Sequence, residues 1–229
     1  MTRRTIALRA LIRAVATLAA VAAVSAGCGS PSDDWTQPHP MPTAVGVLGA
    51  GFVDPSATPT PEGTVTPKPG SWNDVHPSKG YRVVLLTAGH DAPTNALIKA
   101  VQDWAVEEDV SLRTIAADGD HVAGITKAIG MKPDLIVSAG NDLVDALAVV
   151  TASHLSQQFL VVGAEVAEPT QNVTASDWSG ASFRGEGLGA SSAYDPASFT
   201  EQRCAAAIRA GVAAVLHNLT GIVIWLDKI

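Results

Sequence analysis

From Tyr81 onward, short unbroken apolar runs alternate with longer stretches in which apolar residues recur every three or four positions. The first run, Arg82 to Thr87, is β-branched and aliphatic throughout, the pattern of a parallel strand covered on both faces. A helix is predicted from about Pro93 to Glu108, with Leu97, Ala100, Val101, Trp104 and Ala105 on one stripe and Pro93 in the first turn, where its missing donor costs nothing. Val110 to Ala116 reads as the second strand. Val122, Ile125 and Ile129 mark a shorter helix closed by Gly130, and Asp134 to Ser138 reads as the third strand. A helix from about Asp142 to His154 and a strand from Phe159 to Val162 follow.

The pattern then weakens. Asn172 to Thr174 and Gly180 to Phe183 are short strand candidates, and Gly185, Gly187 and Gly189 imply a loop with unusual backbone angles. An Ala-rich helix from Pro196 to about His217 and a strand from Ile222 to Leu226 complete the series. Alternating strands and helices with right-handed crossovers predict an α/β fold, a single doubly wound parallel sheet of the flavodoxin-like or Rossmann-like kind.

The first 79 residues follow neither period. Arg3, Arg4, Arg9 and Arg13 precede small and apolar residues from Ala14 to Ala26, a basic segment followed by the apolar core of an export signal. That run would span about 20 Å as a helix, against roughly 30 Å of bilayer hydrocarbon. It ends in Val24-Ser25-Ala26-Gly27-Cys28, which resembles the lipobox of bacterial lipoproteins. The resemblance implies cleavage after Gly27, a lipid on Cys28, and an extracytoplasmic protein held on the cell membrane. Residues 28–79 contain ten of the chain's 14 prolines and read as a semi-rigid, disordered tether, with local packing expected for Trp35, Phe52 and Trp72. The expected organisation is therefore a signal peptide at 1–27, a tether at 28–79 and one lobe at 80–229.

Composition supports a packed lobe and narrows its partners. Of 229 residues, 47% are apolar and 16% charged, the balance of a globular chain. The net charge is -7, and without the four N-terminal arginines 11 basic residues face 22 acidic ones. Nucleic-acid binding needs clustered Lys and Arg to displace counterions, so it is disfavoured. Two cysteines exclude both a disulfide-dense scaffold and a four-cysteine zinc site.

Ligands of such a sheet gather beyond the carboxyl ends of its strands. The loops there contribute Asp91, Thr94, Asn95, Asn141, Asp142, Glu165, Arg184 and Glu186, with His90 beside them. This set suits a small polar solute, neutral or cationic, whose hydroxyls or amines donate to the acidic groups. Asp142 is read first as a helix cap. No catalytic constellation is found. The stretch Gly185 to Ala190 does not fit the dinucleotide fingerprint, no lysine follows a glycine loop, and Gly180 to Arg184 lacks the closing glycine of a nucleophile elbow. The histidines are scattered, and Cys204 is read as a buried, alanine-like residue. Neither an enzyme activity, a metal nor a cofactor is expected.

Asp134 to Gly140, Asp145-Ala146-Leu147, Gln158 to Val162, Asn172-Val173 and Phe183 to Gly187, in this order and spacing, resemble the first lobe of the basic membrane protein (BMP) family. That family comprises lipid-anchored solute-binding components of ABC importers on a type I periplasmic-binding fold, several of which bind purine nucleosides. The resemblance runs from Tyr81 to about Leu226. It implies that Asp91 and Asn95 match family ligand-contacting positions, that Thr94 stands where the family has a base-stacking aromatic, and that Glu186 is what remains of an acidic cluster. It also implies an ABC permease as partner. A family member closes two lobes over its ligand, so a single lobe would need the permease or a second copy to complete the cleft. The alternative is a single-lobe envelope protein that serves as an interaction or sensor surface without binding a small molecule.

Overall fold

The computed structural model describes residues 35–56, 59–181 and 193–229, all within one compact unit. In chain order the elements are β1 (Ala44–Val45), β2 (Thr64–Val65), β3 (His76–Pro77), β4 (Arg82–Thr87), α1 (Ala92–Glu107), β5 (Ser111–Ala116), α2 (His121–Gly130), β6 (Leu135–Ala139), α3 (Val144–Thr151), β7 (Phe159–Val162), β8 (Val173–Asp177), a 3-10 turn at Pro196–Ser198, α4 (Glu201–Leu216) and β9 (Val223–Trp225). Seven strands form one parallel sheet in the order β2-β9-β8-β7-β6-β4-β5. The expected α/β fold is present.

The order from β5 inward explains where a site can form. After β2, which lies at the far edge, the chain enters the sheet again at β4, moves outward to β5, then returns across β4 to β6 and continues to β7, β8 and β9. The connections leaving β4 and β6 therefore run to opposite faces and leave a crevice at their carboxyl ends. On one face α1 and α4 cover Val83, Leu85, Val137 and Leu160 with Leu97, Val101, Trp104 and Ile208. On the other, α2 and α3 cover Val84, Leu86, Ile136 and Val161 with Ile125, Leu143 and Leu147. Adjacent residues of each strand serve opposite cores, which is why the strands read as unbroken apolar runs rather than as alternating ones.

Side-chain caps start three of the helices. Asp91 accepts from the Thr94 amide at 2.7 Å, Asp120 from the Ala123 amide at 2.9 Å, and Thr200 from the Arg203 amide at 3.3 Å. Thr200 moves the start of α4 to Glu201, so the predicted helix from Pro196 splits into a 3-10 turn and an α-helix. Val122, expected on the buried stripe of α2, is instead 47% exposed. The weak region after β7 holds a five-residue central strand: β8 pairs with both β7 and β9, while of the strand candidate Gly180 to Phe183 the first two residues form a turn and a bend, and Ser182, Phe183 and the loop glycines Gly185, Gly187 and Gly189 lie outside the described residues.

The proline-rich segment departs most from expectation. Instead of standing off as a tether, residues 35–56 and 59–79 lie against the sheet. β2 joins β9 as the outermost strand, with the Val223 amide donating to Gly63 O at 3.0 Å and the Glu62 amide to Gly221 O at 2.8 Å. β1 and β3 form a small antiparallel pair. Phe52 and Trp72 are buried in the α1/α4 core. Trp35 packs on the α2/α3 side, where its indole donates to Ser111 Oγ at 2.9 Å and lies under the Arg113 guanidinium at 4.5 Å. Proline bars the interior of a sheet but not its edge, and Pro61 and Pro67 flank a strand of only two residues at that edge. The local packing expected for the three aromatics outweighs the extended bias of the prolines. Among the described residues no helix is long and apolar enough to cross a membrane.

Candidate functional site at the carboxyl edge of the sheet

Two glycines shape the crevice. Gly89 follows β4 with φ +79° and Gly140 follows β6 with φ +90°, a region that L side chains avoid. A Cβ on Gly89 would stand 2.5 Å from Asp142 Oδ2, and one on Gly140 would stand 3.1 Å from Thr94 Oγ1. Each glycine thus lets a polar side chain of the opposing loop close over its backbone. The β4 loop carries Asp91 and Thr94, the β6 loop carries Asn141 and Asp142, and the two interlock across the switch point.

The predicted residues divide by environment. Asp91 is exposed and caps α1, while Thr94 is buried behind it at 4% exposure. Asn95 is exposed and donates from Nδ2 to His90 O at 3.0 Å. Asn141 is half-buried, and its Oδ1 is a buried acceptor without a hydrogen-bond partner. Asp142, read first as a cap, does not cap a helix: Leu143 precedes α3 with no side-chain hydrogen bond, and the Asp142 carboxylate leans across to Gly89. Glu165 follows β7 and is buried. Arg184 and Glu186 lie outside the described residues.

Two further residues join the site. Asp118, in the loop after β5, accepts from the Gly89 amide at 2.9 Å and lies 3.8 Å from His90 Nε2. Three carboxylates, Asp91, Asp118 and Asp142, therefore surround the loop that begins at Gly89. Tyr194 is the second. Its phenol is held above its ordinary pKa by partial burial and then by the Asp91 and Asp142 carboxylates, which places the ring within electrostatic reach of both. The ring is 52% exposed and stands edge-on to Phe199 at 6.1 Å, and Phe199 in turn packs edge-on to Trp178 at 5.0 Å. Tyr194 therefore brings an aromatic ring to the carboxylates of the β4 and β6 loops. The available signal was an aromatic between the glycine-rich loop and Asp195-Pro196, a helix-start pair that would fix its position.

Among the described residues no group of three or more His, Cys, Asp or Glu has an arrangement that could hold a metal ion. Cys204 is buried in α4, and desolvation pushes its thiol up to about 11, which keeps it protonated and packed. The edge thus offers carboxylate acceptors, the hydroxyls of Thr94 and Tyr194, and one ring. Such a set suits hydroxyl or amine donors and disfavours anions.

Taken together, fold and edge define a doubly wound α/β lobe with an acidic, ring-flanked crevice at its switch point. No family model matches the sequence, and no curated protein is similar to it. Among solved structures, an ABC transporter solute-binding protein from Conexibacter woesei DSM 14684 overlaps 44% of this chain and 36% of its own, at 15% identity and a TM-score of 0.37. One from Aeropyrum pernix K1 overlaps 43% and 28%, at 18% identity and a TM-score of 0.37. A fragment from Peptoclostridium difficile 630, provisionally described as a lipoprotein, overlaps 62% of this chain and 100% of its own, at 15% identity and a TM-score of 0.43. The chain thus spans about a third of the two solute-binding proteins. Overlap this partial assigns no ligand or partner.

Proposed function

We propose that the protein is a lipid-anchored, extracytoplasmic solute-binding protein of the BMP type, which captures a small polar solute at the carboxyl edge of its sheet and has no catalytic role. The observation that carries this reading is the convergence of Asp91, Asp142 and Tyr194 on one crevice, next to Asn141 in the chain, whose Oδ1 is buried and unpaired. A buried amide oxygen without a donor costs about 1–3 kcal/mol, and a bound hydroxyl or amine relieves it. The carboxylates would accept from hydroxyls of a nucleoside-like ligand while Tyr194 stacks against its flat face. The export signal and the lipobox ending in Cys28 support the location. The lobe described supplies one wall of a cleft, and an ABC permease or a second copy is the partner proposed to face it.

Charge gives the first test. Calorimetric titration of the full chain with adenosine and with adenosine monophosphate should give saturable binding of the nucleoside and at least about tenfold weaker binding of the phosphate, which three carboxylates repel. Equal affinity for the two, or loss of nucleoside binding with no other neutral or cationic solute replacing it, would remove the reading in favour of an interaction or sensor surface.

A further inference from the structure

The opposite edge of the sheet holds a cavity of about 690 Å³, within the roughly 300–1,000 Å³ of small-molecule sites. Its floor is built by register. Tyr81, Asp134 and Gln158 are the residues immediately before β4, β6 and β7, and those three strands are neighbours in the sheet. Met41 and Pro42 of the proline-rich segment cover it, and Leu216 in the last turn of α4 closes one side. The cavity exists only because that segment folds back onto the sheet.

Its chemistry is acceptor-rich. Asp134 receives His39 Nε2 at 2.7 Å and the Arg82 amide at 2.8 Å. Gln158 Oε1 is buried and has no hydrogen-bond partner, so the chain itself leaves an acceptor here for a donor from outside. No lysine or arginine lines the cavity. The carboxyl end of α4, the negative end of its dipole, terminates at the same wall. The Tyr81 phenol, pushed far up by burial and by Asp134, stays a neutral hydroxyl. His39 also lines the cavity, but its Nε2 is taken up by the Asp134 carboxylate, so an anion would face the carboxyl end of α4 with no lysine or arginine beside it.

We propose that this cavity is a second small-molecule site, which takes an organic amine with an apolar body: the ammonium donates to Gln158 Oε1 in the field of Asp134, and the body lies against Met41, Pro42 and Leu216. The site is separate from the carboxyl-edge crevice and does not depend on it. Ser156, in an exposed turn, lines the cavity as well.

The test is saturation-transfer NMR of the full chain with 2-phenylethylamine, its anionic counterpart phenylacetate, and neutral 2-phenylethanol. The amine should bind saturably, and phenylacetate at least about tenfold more weakly. Ser156→Trp, at an exposed position lining the cavity, and Gln158→Leu should each weaken amine binding about tenfold or more, while Val122→Ala, at an exposed position on α2, should leave it unchanged. A melting curve for each variant checks folding; if Ser156→Trp does not fold, Gln158→Leu and the amine-to-acid comparison decide. No saturable amine binding, phenylacetate binding as tight as the amine, or binding indifferent to the foldable variants would overturn the proposal.

Discussion

Phe52→Ala tests whether the proline-rich segment belongs to the folded core. Phe52 is 1% exposed and packs in the cluster formed by α1, α4 and the sheet. A buried phenylalanine removes about 150–250 Å² from water, worth roughly 4–6 kcal/mol at 25 cal/mol per Å². Measured Phe→Ala truncations in cores cost about 3–5 kcal/mol, because the surroundings relax only in part. A domain of 150–250 residues loses about 2–4 °C of midpoint per kcal/mol, so the expected drop is about 6–20 °C. Val47→Ala is the control within the same segment: Val47 is 70% exposed, and its loss should move the midpoint by less than about 2 °C. Thermal unfolding of the full chain, followed by circular dichroism, gives both numbers. If Phe52→Ala melts with the wild type, the segment is a free tether and the packing described for residues 35–79 is wrong.

Other expectations concern the crevice and the buried titrating groups. Gly89→Ala forces a Cβ onto the Asp142 carboxylate at a left-handed φ, so it should cost about 1–3 kcal/mol by chemical denaturation and weaken solute binding; an unchanged denaturation midpoint would contradict the geometry. The chain has two tyrosines, so absorbance at 295 nm reports Tyr194 and Tyr81 alone. Tyr194 should ionise above its ordinary pKa of about 10, Asp142→Asn should bring it down, and Tyr81 should ionise only as the protein unfolds. Both folded-state pKa values are raised, so the native state holds these protons more tightly than the unfolded state. The resulting stability is intact below pH ~10 and declines as pH rises above it, whereas flat stability from pH 9 to 11 would refute the assignment. Cys204 should resist Ellman's reagent at pH 8 until denaturant is added, because its thiol titrates near 11, and peptide mapping distinguishes it from Cys28.

Sequence pattern located the lobe's frame because each main strand must be apolar on both faces. The run Phe159 to Val162 is the strand itself, residue for residue. β8 was harder to read because Thr174, Ser176 and Asp177 are polar yet buried between two neighbouring strands, and burial by neighbours leaves no trace in local hydropathy. The proline-rich segment misled for a related reason: proline density is a local property, whereas Phe52, Trp72 and Trp35 are held by residues far along the chain. At the crevice, Asp91, Asn141 and Asp142 were legible from their place just beyond a strand. Asp142's role was not, since only the fold puts Gly89 opposite it. Tyr194 arrives 17 residues after the end of β8, too far for a strand-end rule to find.

Binding of a neutral or cationic solute at the carboxyl-edge crevice is what makes this lobe a solute receptor. The direct measurement is thermal unfolding of the full chain with nucleosides, bases, amines and sugars, run in parallel on Asp142→Asn. A ligand at a hundred times its dissociation constant adds about 2.7 kcal/mol, or roughly 5–10 °C for a domain of this size. Such a rise is expected with one chemical class, and its loss in Asp142→Asn. A cooperative melt that no class shifts, or a shift that Asp142→Asn leaves intact, would contradict it.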